Sequence, residues 1–343
     1  MKTYPMAFIT EPGVIEFRDI PMRDPSSGEV MIKVKAAAIC GSDLHLFKGK
    51  HPSAELPSAV GHELSGEVFK VGKGVKRIKA GDHVVVEPTI ACGKCHYCTR
   101  GQYHLCENIS FQYRKGQGAF AEYFYSIEER TYLIPDGISF EQAALIEPLS
   151  VALHAVKKSN LKIGDSCAVF GVGAIGLLVC RLASMTTGGL VFGVDISSFR
   201  LKKAMQFGAL VVVDNSTEDV LEVTREGTGG LGVDHAFEAV GMSLTLTQAL
   251  KSVKKGGKVT LLGIYEDLES VIPLNLFIQR ELSMVGSQSY AWDFEDAIEL
   301  VTREKIELSP LITHKFSLGE IQKGFDLLLT PSNQAIKVLS QIE

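Results

Sequence analysis

The sequence predicts an α/β chain in two parts: a β-rich, loop-rich first part, then a doubly wound parallel sheet. Three observations carry this. Glycines recur at 61, 66, 72, 74 and 81 among short apolar runs, as the tight turns of a small barrel require. From Ile163 onward apolar strands alternate with helical patterns, the order a parallel sheet needs. At 343 residues the chain exceeds one typical domain.

Taken in order, residues 30–38 alternate partially as a strand, and Ala80-Gly81-Asp82 turns into Val84-Val85-Val86. The texture changes near Pro148. Residues 166–170 read as a strand, with a helix from about Ala174. Residues 190–194 precede a helix over 197–207, and strands over 210–213, 233–238, 258–262 and 282–285 complete a sheet of six. After Gly286 the regularity fades into a helix over 294–302 and an irregular tail. Because six strands already fill the sheet, the tail is expected to rejoin the first part. The expected domains are 1–150, 151–290, and 291–343 as the return.

Hydrophobic residues make up 45% and charged residues 22%, the balance of a globular protein that folds in water. A net charge of −5 offers no basic face to nucleic acid or to an anionic membrane. The start, Met1-Lys2-Thr3-Tyr4-Pro5, lacks the apolar core of a secretory leader. No run reaches the roughly 18 apolar residues that span a bilayer. Thiolates used as ligands suit a reducing compartment, so the expected location is the cytoplasm.

Four of the seven cysteines, Cys92, Cys95, Cys98 and Cys106, fall within one short stretch. Gaps of two, two and seven residues let four soft thiolates converge on one tetrahedral ion, a closed structural Zn²⁺ site. The plainer alternatives are disulfides or a reduced surface loop. A second cluster is Cys40-Gly41-Ser42-Asp43-Leu44-His45 with Gly61-His62-Glu63. A Cys, a His and a carboxylate from separate loops suit a catalytic zinc that keeps one position open. Glu147-Pro148-Leu149 places a further carboxylate in an apolar stretch. Singly, each has a bland reading: a small core cysteine, a satisfied loop histidine, an acid at a helix start.

Gly171-Val172-Gly173-Ala174-Ile175-Gly176 is a G-x-G-x-x-G between a buried-type strand and an apolar helix, with Asp195 nineteen residues on. That is the context of a dinucleotide fingerprint. Gly171 permits the turn, Gly173 admits the pyrophosphate to the backbone, and Gly176 lets helix pack on strand. Asp195 would accept from the adenosine ribose hydroxyls and repel a 2′-phosphate, which favours NAD over NADP. Arg200 could cover the adenine face. Cys167, Cys180, His83, His96, His104, His235 and His314 read as structural, and His51 as a weak candidate for the pocket.

The ordered strings C-G-S-D-L-H at 40–45, G-H-E-L-S-G-E-V at 61–68, the cysteine lobe at 92–106, E-P-L-S-V-A-L-H-A at 147–155 and G-V-G-A-I-G at 171–176 run the length of the chain. In these the chain resembles the zinc-dependent medium-chain alcohol and polyol dehydrogenases, in their sorbitol, butanediol and threonine dehydrogenase-like branch. The resemblance implies a GroES-like catalytic domain, split in sequence around a Rossmann domain. It makes Cys40 and His62 zinc ligands, Glu147 the third protein ligand, directly or through water, and Glu63 an acid behind the metal that ligates in some members. It makes Asp43 the carboxylate that orients His62, Ser42 and His45 a proton relay, and Leu262, Gly263 and Ile264 further cofactor contacts. Phe111, Tyr113 and Tyr290 become candidate pocket aromatics.

The function so implied is hydride transfer between a secondary alcohol (a polyol, sugar alcohol or vicinal diol) and NAD, with two Zn²⁺ per chain. The zinc acidifies the substrate hydroxyl, and the proton leaves through Ser42, a cofactor ribose hydroxyl and His45. Ser289 falls where the animal sorbitol enzymes carry a substrate-binding arginine, which counts against sorbitol itself. L-threonine or a sugar acid is the alternative within the family. A zinc-stabilised binding or regulatory protein is the alternative outside it. The expected partners are a small alcohol, no nucleic acid, no membrane, and copies of the same chain, a homotetramer ahead of a dimer.

Overall fold

The computed structural model describes residues 2–52, 55–267, 269–330 and 334–342. The chain forms two compact units, one of Met1–Pro148 with Phe294–Glu343 and one of Leu149–Asp293.

The first unit is built on a seven-stranded mixed sheet. At its centre lies the strand Glu29–Ala38, which pairs antiparallel with Glu63–Val71, with Tyr123–Ile127 and with Lys337–Gln341. Its apolar residues Val30, Ile32, Val34 and Ala37 sit in one fully buried cluster with Phe47, Phe120 and Phe124. The registers matter for function. Ala38 stands opposite both Glu63 and Leu339, so the end of one strand, the start of a second and the middle of a third meet there.

The second unit is a six-stranded, all-parallel sheet. The spatial order is Val211–Asp214, Val191–Asp195, Cys167–Phe170, Val233–Glu238, Val253–Leu261, Ser283–Gly286. Cys167–Phe170 is buried at every position, as a strand covered on both faces must be. The strand order reverses between Cys167–Phe170 and Val233–Glu238, the switch point where such sheets bind ligands.

Two expectations need correction. The fifth strand starts at Val253, not near 258, because the two glycines after Lys254-Lys255 stay in the strand and Val253 pairs Val233 across a register shift. The tail is not irregular. It forms the strand Ile312–Ser317, the amphipathic helix Ile321–Leu329 and the strand Lys337–Gln341.

Candidate active site

The central strand ends at Ala38, and Cys40 takes an extended backbone (φ −91°, ψ 157°) as N-cap of the helix Gly41–Phe47. Asp43, two residues into that helix and buried, turns back. Its Oδ2 accepts the Cys40 N–H at 2.9 Å and its Oδ1 the Gly61 N–H at 3.3 Å. The same Oδ1 stands 3.6 Å from His62 Nδ1. One carboxylate thus fixes the Cys40 loop and the His62 loop to each other. Burial disfavours a charged His62 ring, but Asp43 and Cys40 beside it outweigh burial and hold its pKa well above the ordinary value. The imidazole is stacked on Tyr113 (5.2 Å, 28°), and Tyr113 on Phe111 (5.3 Å, 25°).

One ligand atom each from Cys40, His62 and Glu63 lies within 4.8 Å of the others. A thiolate, an imidazole and a carboxylate at that span match a single zinc bonded at about 2.0–2.3 Å. Glu147 is buried in the first turn of the helix Ile146–Ser159 but does not belong to this trio. Ser42 and His45 are half-buried on the helix that Cys40 caps.

Lys337, which sequence reasoning passed over, completes the surroundings. It is 3% exposed, and its Nζ donates to Glu63 Oε1 at 2.5 Å and Oε2 at 2.6 Å. It also donates to the Ile39 carbonyl at 3.1 Å. Burial opposes its charge, but Glu63, with Cys40 and Glu147 adding to it, raises its pKa. The available signal was a lone cation inside the apolar run Ala335-Ile336-Lys337-Val338-Leu339.

In the lobe the sulfurs of Cys92, Cys95, Cys98 and Cys106 lie within 4.8 Å of one another, with Cys95 Sγ 3.5 Å from Cys98 Sγ and 3.9 Å from Cys106 Sγ. All seven cysteines are free thiols. Backbone N–H groups of Cys98 and Glu107 lower the Cys95 pKa to about 6, so the chain itself favours the thiolate a soft cation needs. The four thiols fit a closed zinc site. Cys167 and Cys180 are fully buried elsewhere, with pKa values pushed up by burial, to about 12 for Cys167.

In the second unit Gly171 has φ +85°, a left-handed turn. A Cβ on Gly176 would collide with the Gly171 carbonyl, and a Cβ on Gly173, N-cap of the helix Ala174–Thr187, would meet nothing. That open helix start, with Val172, Ala174 and Ile175 beside it, fits a pyrophosphate. Asp195 ends its strand, and its carboxylate accepts the N–H groups of Val172 at 3.0 Å, Ile196 at 2.9 Å and Ser197 at 3.0 Å. A carboxylate has about four acceptor positions, so a ribose hydroxyl can still be accepted. Arg200 is half-buried on the helix Ser198–Gln206. Leu262 and Gly263 donate their N–H groups to the Glu238 carbonyl, and Ile264 follows. The Glu238 side chain went unnoticed in the sequence. It is fully buried and accepts from Gly241 N (2.9 Å), Thr245 Oγ1 (2.8 Å) and Tyr265 OH (2.8 Å), bracing together the segments that follow Val233–Glu238 and Val253–Leu261. Among the pocket aromatics, Tyr113 lies beside His62 and Phe111 beside Tyr113, whereas Tyr290 is fully buried.

Residues 26–136 match the alcohol dehydrogenase GroES-like domain, and residues 174–303 the zinc-binding dehydrogenase family. The chain is 36% identical over 331 residues to a sorbitol dehydrogenase of Bacillus subtilis, covering 95% of this chain and 93% of the relative. It is 38% identical over 338 residues to the (R,R)-butanediol dehydrogenase of the same species, covering 95% of each. A zinc-binding dehydrogenase of Sinorhizobium meliloti, solved bound to NADP, superposes with a TM-score of 0.92 at 31% identity, covering 99% of this chain and 100% of that one. With both zinc-type clusters and the dinucleotide turn in their places, this full-length similarity means that the chain belongs to the zinc-dependent medium-chain alcohol and polyol dehydrogenases.

Proposed function

We propose that this enzyme oxidises a secondary hydroxyl of a polyol, sugar alcohol or vicinal diol with NAD⁺, and runs the reverse reduction. The observation that carries this is the cluster of half-buried Cys40 with buried His62 and Glu63, a donor set suited to zinc, in a chain whose second unit has a dinucleotide turn. Bound zinc supplies Lewis acidity to the substrate hydroxyl, and bound NAD⁺ supplies the hydride acceptor. Cys40 and His62 hold the metal, and Glu147 is its third protein ligand, directly or through water. Asp43 orients His62. Ser42 and His45 carry the hydroxyl proton outward, a task suited to an imidazole whose unperturbed pKa is about 6.5. Cys92, Cys95, Cys98 and Cys106 hold a second, structural zinc.

The turn from Gly171 to Gly176 receives the pyrophosphate, Arg200 covers the adenine, and Leu262, Gly263 and Ile264 contact the rest of the cofactor. Asp195 accepts from the ribose and its charge disfavours a 2′-phosphate, so NAD is used although the Sinorhizobium relative was solved with NADP. The catalytic domain is 1–150 with 291–343, and the cofactor domain 151–290. The enzyme works in the cytoplasm as a homotetramer. The test is NAD⁺ reduction with sugar alcohols, inositols, 2,3-butanediol, threonine and sugar acids, with and without a zinc chelator. A strong chelator-sensitive rate with a polyol or diol supports the reading. Turnover of threonine or a sugar acid alone moves the substrate class, and chelator-insensitive turnover contradicts the catalytic metal.

A further inference from the structure

Lys337 is the only buried lysine or arginine among the described residues. Its ammonium has three N–H donors. Two contacts go to the two oxygens of Glu63, at 2.5 and 2.6 Å, and one to the carbonyl of Ile39, at 3.1 Å. Ile39 is the residue before Cys40, so Lys337 grips the backbone of one ligand loop and the carboxylate of the other. A metal that takes Glu63 as a ligand has to break charge-assisted hydrogen bonds buried from water, which are the strong kind. Sheet register enforces the geometry, since Glu63 and Leu339 both pair with Ala38.

We propose that Lys337 is a positioning residue that holds Glu63 off the catalytic metal, so that Glu63 is a withheld ligand and the fourth coordination position stays free for substrate. This rests on Cys40 and His62 forming the metal site. It differs from a purely structural ion pair in what it demands of the metal: coordination number changes when Lys337 is removed and changes back when Glu63 is removed too.

The test uses the full chain loaded with Co²⁺, comparing the wild type, Lys337→Met, Lys337→Arg and the double variant Glu63→Gln/Lys337→Met. Two readouts are followed: the visible Co²⁺ absorption, taken as a difference from the matching Cys40→Ser protein, and the rate of metal loss to a chelator. In Lys337→Met the freed carboxylate binds, the Co²⁺ bands weaken toward a five-ligand pattern, and metal loss slows on the order of tenfold. Lys337→Arg and the double variant give wild-type bands and rates. A Lys337→Met protein indistinguishable from wild type overturns the proposal, as does a double variant that keeps the changes. If Lys337→Met does not fold, the double variant, which leaves no charge unpaired, decides alone. Wild-type bands support the proposal, and altered bands show that Glu63 was a ligand all along. Uptake of a single Co²⁺ per wild-type chain, retained by Cys40→Ser, overturns the metal-site reading and the proposal with it.

Discussion

Asp43 joins three parts of the first unit, because one buried carboxylate accepts the N–H groups of Cys40 and Gly61 and stands beside His62. Asp43→Asn keeps the shape and removes the charge that orients His62. Zinc affinity at this site should fall by about 10–100-fold while the lobe zinc is retained, measured by competition with a chromogenic chelator. In the metal-free protein Lys337→Met leaves Glu63 buried without a cation, so urea unfolding there should show a loss of about 3–5 kcal/mol, most of it recovered in the double variant with Glu63→Gln. The residues legible in the sequence were those whose chemistry is written in short spacings: the four cysteines, Cys40, His62, the turn glycines. Lys337 was not, because its partner lies 274 residues away. Glu238 escaped for a related reason: it reads as an ordinary strand end, and its donors come from loops that only the fold brings together.

At the scale of elements, the turn between Cys167–Phe170 and Ala174–Thr187 is the one proposed to receive the cofactor. Asp195→Asn removes the charge proposed to repel a 2′-phosphate while its amide oxygen can still accept the Ile196 and Ser197 N–H groups. The ratio of kcat/KM for NADP over NAD should rise roughly tenfold, the worth of one hydrogen bond to a charged group. Strand starts are fixed by similar means. Asp234 accepts Ser166 N–H at 2.8 Å and Ser166 Oγ–H at 2.7 Å and pairs with Lys254. Burial alone would raise its pKa, but these partners outweigh it and bring it to about 2, against an ordinary 3.8. A lowered carboxylate pKa stabilises the fold fully above 3.8 and loses that contribution as pH falls toward 2. The stability gap between wild type and Asp234→Asn should therefore be present at pH 7 and close between pH 3.8 and 2, followed by denaturant titration at each pH. Strands and helices of the second unit were legible because their periods are local. The tail was misread because Lys337–Gln341 takes its meaning from pairing with Glu29–Ala38, at the opposite end of the chain.

For the molecule as a whole, the proposed function depends on two clusters of different openness. The lobe has four thiols and no position to spare, whereas Cys40 and His62 belong to a site whose remaining carboxylate is tied up by Lys337. The measurement that tests this most directly is the zinc content of wild type and of Cys40→Ser by atomic spectroscopy, alongside polyol-dependent NAD⁺ reduction and thermal melting. Two zincs should become one, turnover should drop roughly a thousandfold or more, as the loss of several kcal/mol of Lewis-acid stabilisation implies, and the melting transition should stay cooperative. A Cys40→Ser protein that keeps both zincs, or that still turns over the polyol at the wild-type rate, would contradict the account.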